Sequence, residues 1–118
     1  MTWKKAVQQR QLISLATSSK SGTPRAIIVT SLGFIEGKLL IGECVMKQTF
    51  SNIKTNNKVS IVAQYDKEYY RIDGRTKFYS KGKYFDAALK RSNPPLPRKA
   101  IVVDIKEVFD LDKLKKII

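Results

Sequence analysis

Hydrophobic positions along the chain fall mostly into short runs, several with a period of two, separated by clusters of glycine, proline, serine and asparagine. That pattern predicts strands joined by tight turns. Leu12 to Thr17 reads as a first strand, and the small polar run Ser18-Ser19-Lys20-Ser21-Gly22 as the hairpin turn after it. Pro24 to Thr30 forms a second strand. Its consecutive apolar residues Ala26, Ile27, Ile28 and Val29 predict burial on both faces, with Pro24 at the entry where a missing N–H costs least. Glu36-Gly37 makes the next turn, Phe34 and Ile35 either widening that hairpin or continuing the strand before it, and Lys38 to Gly42 is the third strand. Val59 to Tyr65 alternates between two unequal faces and ends at the turn Asp66-Lys67. Tyr69 to Tyr79 is long for one strand, and Gly74 in its middle predicts a bulge where the sheet curls toward closure. A last strand, Ala100 to Phe109, carries an irregularity at Lys106-Glu107.

Three stretches break this rhythm with a helical one. Thr2 caps Trp3 to Gln9, with Trp3 and Val7 on one side. A second helix begins near Gln48 or Thr49 and turns Phe50 and Ile53 inward; a third, Gly82 to Arg91, gathers Tyr84, Phe85, Ala88 and Leu89. Pro94, Pro95 and Pro97 then deny the chain both helix and ladder. The tail Asp112 to Ile118 either docks on the body or meets another subunit. Six strands at hairpin spacing with short helices predict a mainly β protein, a small closed or nearly closed antiparallel barrel, rather than a βαβ sheet.

The 118 residues make one domain, 1–118, and the 42% apolar content suits a single core. No apolar run is long enough to span a bilayer and the N-terminus lacks the apolar centre of a signal peptide, so the expectation is a cytoplasmic protein without a membrane partner. Histidine is absent and Cys44 is the single cysteine, which excludes a histidine triad, an internal disulfide, a two-cysteine redox motif and the common zinc sites. Covalent or redox chemistry is left to Cys44, tyrosines, carboxylates, lysines or a bound cofactor. The formal charge of +13 favours anionic partners, but the basic residues are spread along the chain. A nucleic-acid-binding barrel using Lys, Arg and exposed Tyr is the alternative this charge keeps open.

The strongest local signal lies between Gly42 and Lys58. A helix opening after a strand points unpaired amides outward, and Lys47 and Thr49 stand beside them, so a hydroxyl, a cation and a positive helix terminus converge on a spot that suits a phosphate. An ordinary capped helix with a solvated lysine has the same spacing. Cys44 at a strand end reads as packing before it reads as a redox or cofactor-modulating thiol, and Tyr69 and Tyr70 as sheet surface or interface before proton donors.

Taken in order, Leu15-Ala16-Thr17, Gly22-Thr23-Pro24-Arg25, Ile27 to Thr30, Ile41-Gly42, Met46 to Lys54, Asn56 to Ser60 and Tyr70 to Arg75 resemble the flavin-mononucleotide-binding split barrels related to pyridoxamine 5′-phosphate oxidase. The resemblance implies a six-stranded antiparallel split barrel that binds FMN, with a deazaflavin cofactor or FAD as alternatives in the same groove. It implies a flavin-dependent oxidoreductase of unassigned small-molecule substrate, or a flavin carrier or sensor without turnover. It also implies cofactor contacts at Arg25, Ile27, Ile28, Val29, Thr30, Glu43, Met46, Lys47, Gln48 and Thr49, and a homodimer with the flavin near its interface, approached by Tyr69 of the second copy. Arg25 would be a further cation for the phosphate. Gln48 stands where many relatives carry lysine, a charge Lys47 would replace, and Asn57 stands for a common proline. Haem, which occupies the groove in some relatives, fits less well, since no histidine can serve as its axial ligand, although Cys44 or a tyrosine could.

Overall fold

The computed structural model describes residues 2–44 and 46–118. In chain order the elements are α1 (Thr2–Ala6), β1 (Leu12–Ser18), β2 (Pro24–Ile35), β3 (Lys38–Glu43), α2 (Lys47–Thr55), β4 (Lys58–Tyr65), β5 (Glu68–Tyr79), α3 (Lys83–Arg91), β6 (Lys99–Asp110) and β7 (Lys115–Lys116). The strands lie in the order β3-β2-β1-β4-β5-β6, and β3 also pairs with β6, which closes a six-stranded antiparallel barrel. β7 is a short addition at the edge of β6.

Alternation decides what goes inside. Ile13 and Leu15 of β1, Leu39 and Ile41 of β3, Ile61 of β4, Ile72 of β5 and Ile101, Val103 and Val108 of β6 fill the barrel, each almost inaccessible to water. A second cluster, Leu32, Leu40, Ala88, Ala100 and Val102, sits outside the barrel wall beneath α3. The turns follow their residues. Glu36 and Gly37 have φ of 51° and 78°, and Asp66 and Lys67 of 48° and 68°, the left-handed pairs that close two-residue hairpins in step with strand twist.

Several expectations change. The first helix ends at Ala6 and includes Thr2, so Thr2 is not its cap. Phe34 and Ile35 continue β2. That strand is not covered on both faces: Ile28 is 66% exposed on the outer surface, while Val29 points into the core. The irregularities expected separately at Gly74 and Lys106 are one feature. Asp73 pairs with Glu107 and Gly74 with Ile105, so Lys106 is the extra residue opposite the Asp73–Gly74 step. Glycine is required there, because a Cβ would lie 2.6 Å from the Asp104 carbonyl oxygen. The tail docks on its own chain, Ile117 N–H donating to the Val108 carbonyl at 2.8 Å.

Candidate functional site

The β2–β3 ladder stops at Ser31, which faces Ile41; beyond it β3 continues along β6, with Glu43 against Lys99. Residues Arg25 to Thr30 of β2 therefore keep β1 on one edge and lose their neighbour on the other. The barrel splits here, leaving backbone donors and acceptors along an unpaired edge. A cavity of about 620 Å3 occupies the split, within the usual range for small-molecule sites. Its walls are the β2 edge, the start of α2, the end of β3 and the α3–β6 connection.

α2 is fixed beside Arg25 by two side-chain bonds to β1. Asn52 Nδ2 donates to Thr17 Oγ1 at 3.1 Å and Asn56 Nδ2 to Ser18 Oγ at 2.9 Å, and Thr17 is the register partner of Arg25. The helix starts at Lys47, earlier than expected, and its flanking residue Met46 offers no side-chain cap. The first turn-closing bond runs from Phe50 N–H to the Met46 carbonyl at 2.8 Å, so the amides of Lys47, Gln48 and Thr49 precede the intrahelical ladder. Thr49 lies in the first turn and is buried, not at the cap. Gln48 turns its side chain back along the helix, Nε2 donating to Asn52 Oδ1 at 3.1 Å, which leaves Lys47 as the cation at this terminus.

The α3–β6 connection is tied across the opposite wall. Arg98 donates its backbone N–H to the Glu43 carbonyl at 2.7 Å and Nη2 to Glu43 Oε2 at 2.8 Å. Pro97 packs on Gly42, where a Cβ would come within 3.0 Å of it. Cys44 Sγ donates to the Pro95 carbonyl at 3.4 Å. Burial, and secondarily the Glu43 carboxylate, push the Cys44 thiol above its ordinary pKa despite the Arg98 charge, so it is a neutral wall residue at physiological pH. On the remaining side, Arg91 Nη1 donates to the carbonyls of Leu32 and Phe34, both at 3.0 Å.

Of the residues expected at the site, Arg25, Ile27, Ile28, Val29, Thr30, Met46, Lys47, Gln48 and Thr49 all line this cavity. Glu43 does not. The alternation that buries Leu39 and Ile41 turns it into the barrel, where it is 2% exposed and paired with Arg98. Tyr69 lies on the outer surface, separated from β2 by β1 and β4, roughly 14 Å at ordinary strand spacing, so within one chain it stays clear of the cavity. Sequence reading missed Arg10, Ser31, Arg91 and the Ser92–Pro95 segment, which also line it. They come from separate parts of the chain and carry no local motif. Four cations therefore face the cavity, Arg10, Arg25, Lys47 and Arg91, and none forms an ion pair among the described residues. No carboxylate lines it, and the described residues contain no group of metal-ligating side chains.

The cavity thus gathers cations and helix amides, with no carboxylate among its described lining. The family model for pyridoxamine 5′-phosphate oxidase matches residues 2–112. The chain belongs to that family. No curated protein matches the sequence. Among solved structures, HupZ of Group A Streptococcus is 23% identical with a TM-score of 0.86, covering 99% of this chain and 98% of that one. A putative pyridoxamine 5′-phosphate oxidase of Lactobacillus delbrueckii is 24% identical with a TM-score of 0.70, covering 83% of each chain. An FMN-binding protein of Syntrophomonas wolfei is 16% identical with a TM-score of 0.75, over 92% of this chain and 80% of that one. At these identities the likeness is one of fold, and the fold shared is the split barrel of this family.

Proposed function

We propose that this protein binds FMN in the barrel split and is a flavin-dependent oxidoreductase acting on a small molecule. The observation that carries the reading is the convergence of three α2 amides, which have no acceptor among the described residues, with Lys47 and Arg25 at one end of a cavity whose floor is an unpaired strand edge. A phosphate ester is the ligand group that satisfies such a terminus. The unpaired β2 edge offers alternating N–H and C=O groups to the polar rim of a planar ring, while Ile27, Val29 and Met46 supply apolar surface.

When bound, the flavin supplies the electron-transfer chemistry that no side chain here provides. The chain's own residues do the rest. Lys47, Arg25 and the α2 amides anchor and orient; the Ser92–Pro97 segment, held by Arg98 and Arg91, walls off water on one side. The Cys44 thiol, kept protonated, stays out of nucleophilic side reactions.

The reading extends to a homodimer. Leu12, Ile28, Val62 and Tyr69 are 67%, 66%, 45% and 42% exposed and lie together by register on the outer face of β2, β1, β4 and β5. Two copies meeting through this patch about a two-fold axis would cover it on both, with Tyr69 as the residue offered to the second copy. A cytoplasmic setting, where Cys44 stays reduced, suits this arrangement.

The test is direct. Purified protein titrated with FMN should quench the flavin's fluorescence at one site per chain, and reduction of the bound flavin by candidate donors should turn over. Protein that leaves free FMN fluorescence unchanged sinks the proposal. Stoichiometric binding without turnover for any donor or acceptor reduces it to a flavin carrier.

A further inference from the structure

The cavity has a second cationic end that the phosphate anchor does not use. Arg25 and Lys47 stand at one end of the β2 edge, and Arg10 and Arg91 at the other, beside the bulge at Ser31–Phe34. The Arg10 main chain is held there by its N–H on the Ser31 carbonyl at 2.9 Å, its side chain exposed, and the Arg91 guanidinium by Nη1 on the carbonyls of Leu32 and Phe34. Six residues of extended strand separate Arg25 from Ser31, roughly 20 Å, so one phosphate cannot serve both ends.

Arg91 is placed as a receptor, not only as a strut. Its two carbonyl bonds both leave from Nη1, which accounts for both protons of that nitrogen. Nε and Nη2 have no protein acceptor among the described residues, and Arg91 is half-buried in the cavity wall. A guanidinium held by one corner presents its opposite edge in fixed orientation, the geometry that takes an oxyanion by two parallel bonds. Asn93 and Ser92 line the same end and add amide and hydroxyl groups, and no carboxylate competes.

We infer that the Arg10–Arg91 end binds the oxyanion group of the substrate, a small organic carboxylate or phosphate ester lying against the far part of the β2 edge. The assignment of that molecule as substrate rests on the flavin reading; the anion-binding end itself does not.

The probe is nicotinate against nicotinamide, planar molecules of nearly one shape that differ in the carboxylate. Affinities are measured by calorimetry on the protein as purified and again on protein loaded with FMN. Nicotinate should bind roughly ten- to a hundredfold more tightly than nicotinamide, the range of a hydrogen-bonded charge. Arg10→Gln and Arg91→Lys should each cut that ratio several-fold, whereas Lys113→Gln, which removes the same charge from the exposed tail, should leave it alone. Phenyl phosphate in place of nicotinate tells which oxyanion the end prefers, and tight binding of either supports it.

Equal affinity for nicotinate and nicotinamide, with phenyl phosphate no tighter than phenol, overturns the inference. So does a ratio untouched by both arginine variants, and Arg10→Gln guards against misreading a folding defect in the Arg91 variant. If FMN does not bind but the ratio is high and arginine-dependent, the anion-binding end stands and the flavin reading falls. If FMN binds and the ratio is one, the reverse holds.

Discussion

Replacing Lys47 with Gln removes a charge from the α2 terminus while leaving the amides of Lys47, Gln48 and Thr49 in place. Hydrogen bonds to charged groups contribute about 1.5–3 kcal/mol, and a cation beside a surface phosphate belongs at the lower end because Lys47 is exposed. The loss of about 1.5 kcal/mol predicts an FMN dissociation constant raised roughly tenfold. Arg25→Gln on the facing strand should cost a similar amount, and the double variant roughly a hundredfold if the two cations act separately on one phosphate. Riboflavin supplies the control, since it lacks only that group. Its binding to wild-type protein should already be weaker than that of FMN by about 4 kcal/mol, or near a thousandfold, the combined worth of the amides and both cations. Its affinity should hardly move in either variant. Fluorescence quenching at low and moderate salt measures all of these, and the FMN advantage should shrink as salt rises. Wild-type protein that binds riboflavin and FMN equally, or variants that weaken both in parallel, would show that the terminus does not hold a phosphate.

Other outcomes test the framework around the site. Gly74→Ala should destabilise the barrel by roughly 1–3 kcal/mol in urea melts, because the new methyl meets the Asp104 carbonyl at 2.6 Å and Val103 Cγ1 at 2.9 Å, inside a ladder that cannot retreat; an unchanged midpoint would mean that the bulge is not as tight as it stands. Arg98→Ala should cost roughly 1–3 kcal/mol, more than Glu43→Gln, since it strands a carboxylate that is 2% exposed; the opposite order in thermal melts would refute the pairing. Tyr70 is buried and donates to Glu68 Oε2 at 2.9 Å, and burial followed by that bond pushes its phenol up to about 12. A raised folded value means that its contribution is complete below the ordinary phenol range near pH 10 and is lost as pH climbs through about 12. Tyr70→Phe should flatten the stability curve in that alkaline window, and a curve of wild-type shape would contradict it. Cys44 should react with iodoacetamide more slowly than a free thiol at pH 7.5, its rate rising with pH beyond the ordinary cysteine range.

What the sequence made legible follows from how local the determining physics is. Strand alternation, two-residue turns and proline breaks act over a few residues, so the strands appeared close to their observed bounds, and the order of motifs supplied the barrel. The second strand shows where this stops. Ala26 to Val29 carries the apolar content of a doubly covered strand, yet Ile28 is left outside. Composition cannot tell a strand covered by its own chain from one awaiting another surface. Glu43 was legible and misplaced: it follows Leu39 and Ile41 at a spacing of two, and that parity alone turns it into the barrel, away from its cavity-lining neighbours Gly42 and Cys44. Arg10 and Arg91 were not legible at all. They lie far apart in the chain and meet only because both are tied to the carbonyls of the Ser31–Phe34 bulge, a juxtaposition set by closure of the whole barrel.

The same closure explains why the site lies where it does. Completing the ladder between β2 and β3 beyond Ser31 would have satisfied the backbone and left no cavity. Instead β3 follows β6, because Leu40 and Gly42 pack outward against Ala88 and Pro97 and are held there by the Arg98–Glu43 link. The cost, among the described residues, is an unpaired strand edge, three helix amides without an acceptor and four cations without an ion pair, all opening on one volume. Each of these groups is tolerable in water, and together they are what the proposed binding of an elongated molecule with an anionic end would use. The affinity available on binding is thus set by groups the fold declined to pair with one another, and loss of the Arg98–Glu43 link should loosen the cavity before it loosens the barrel.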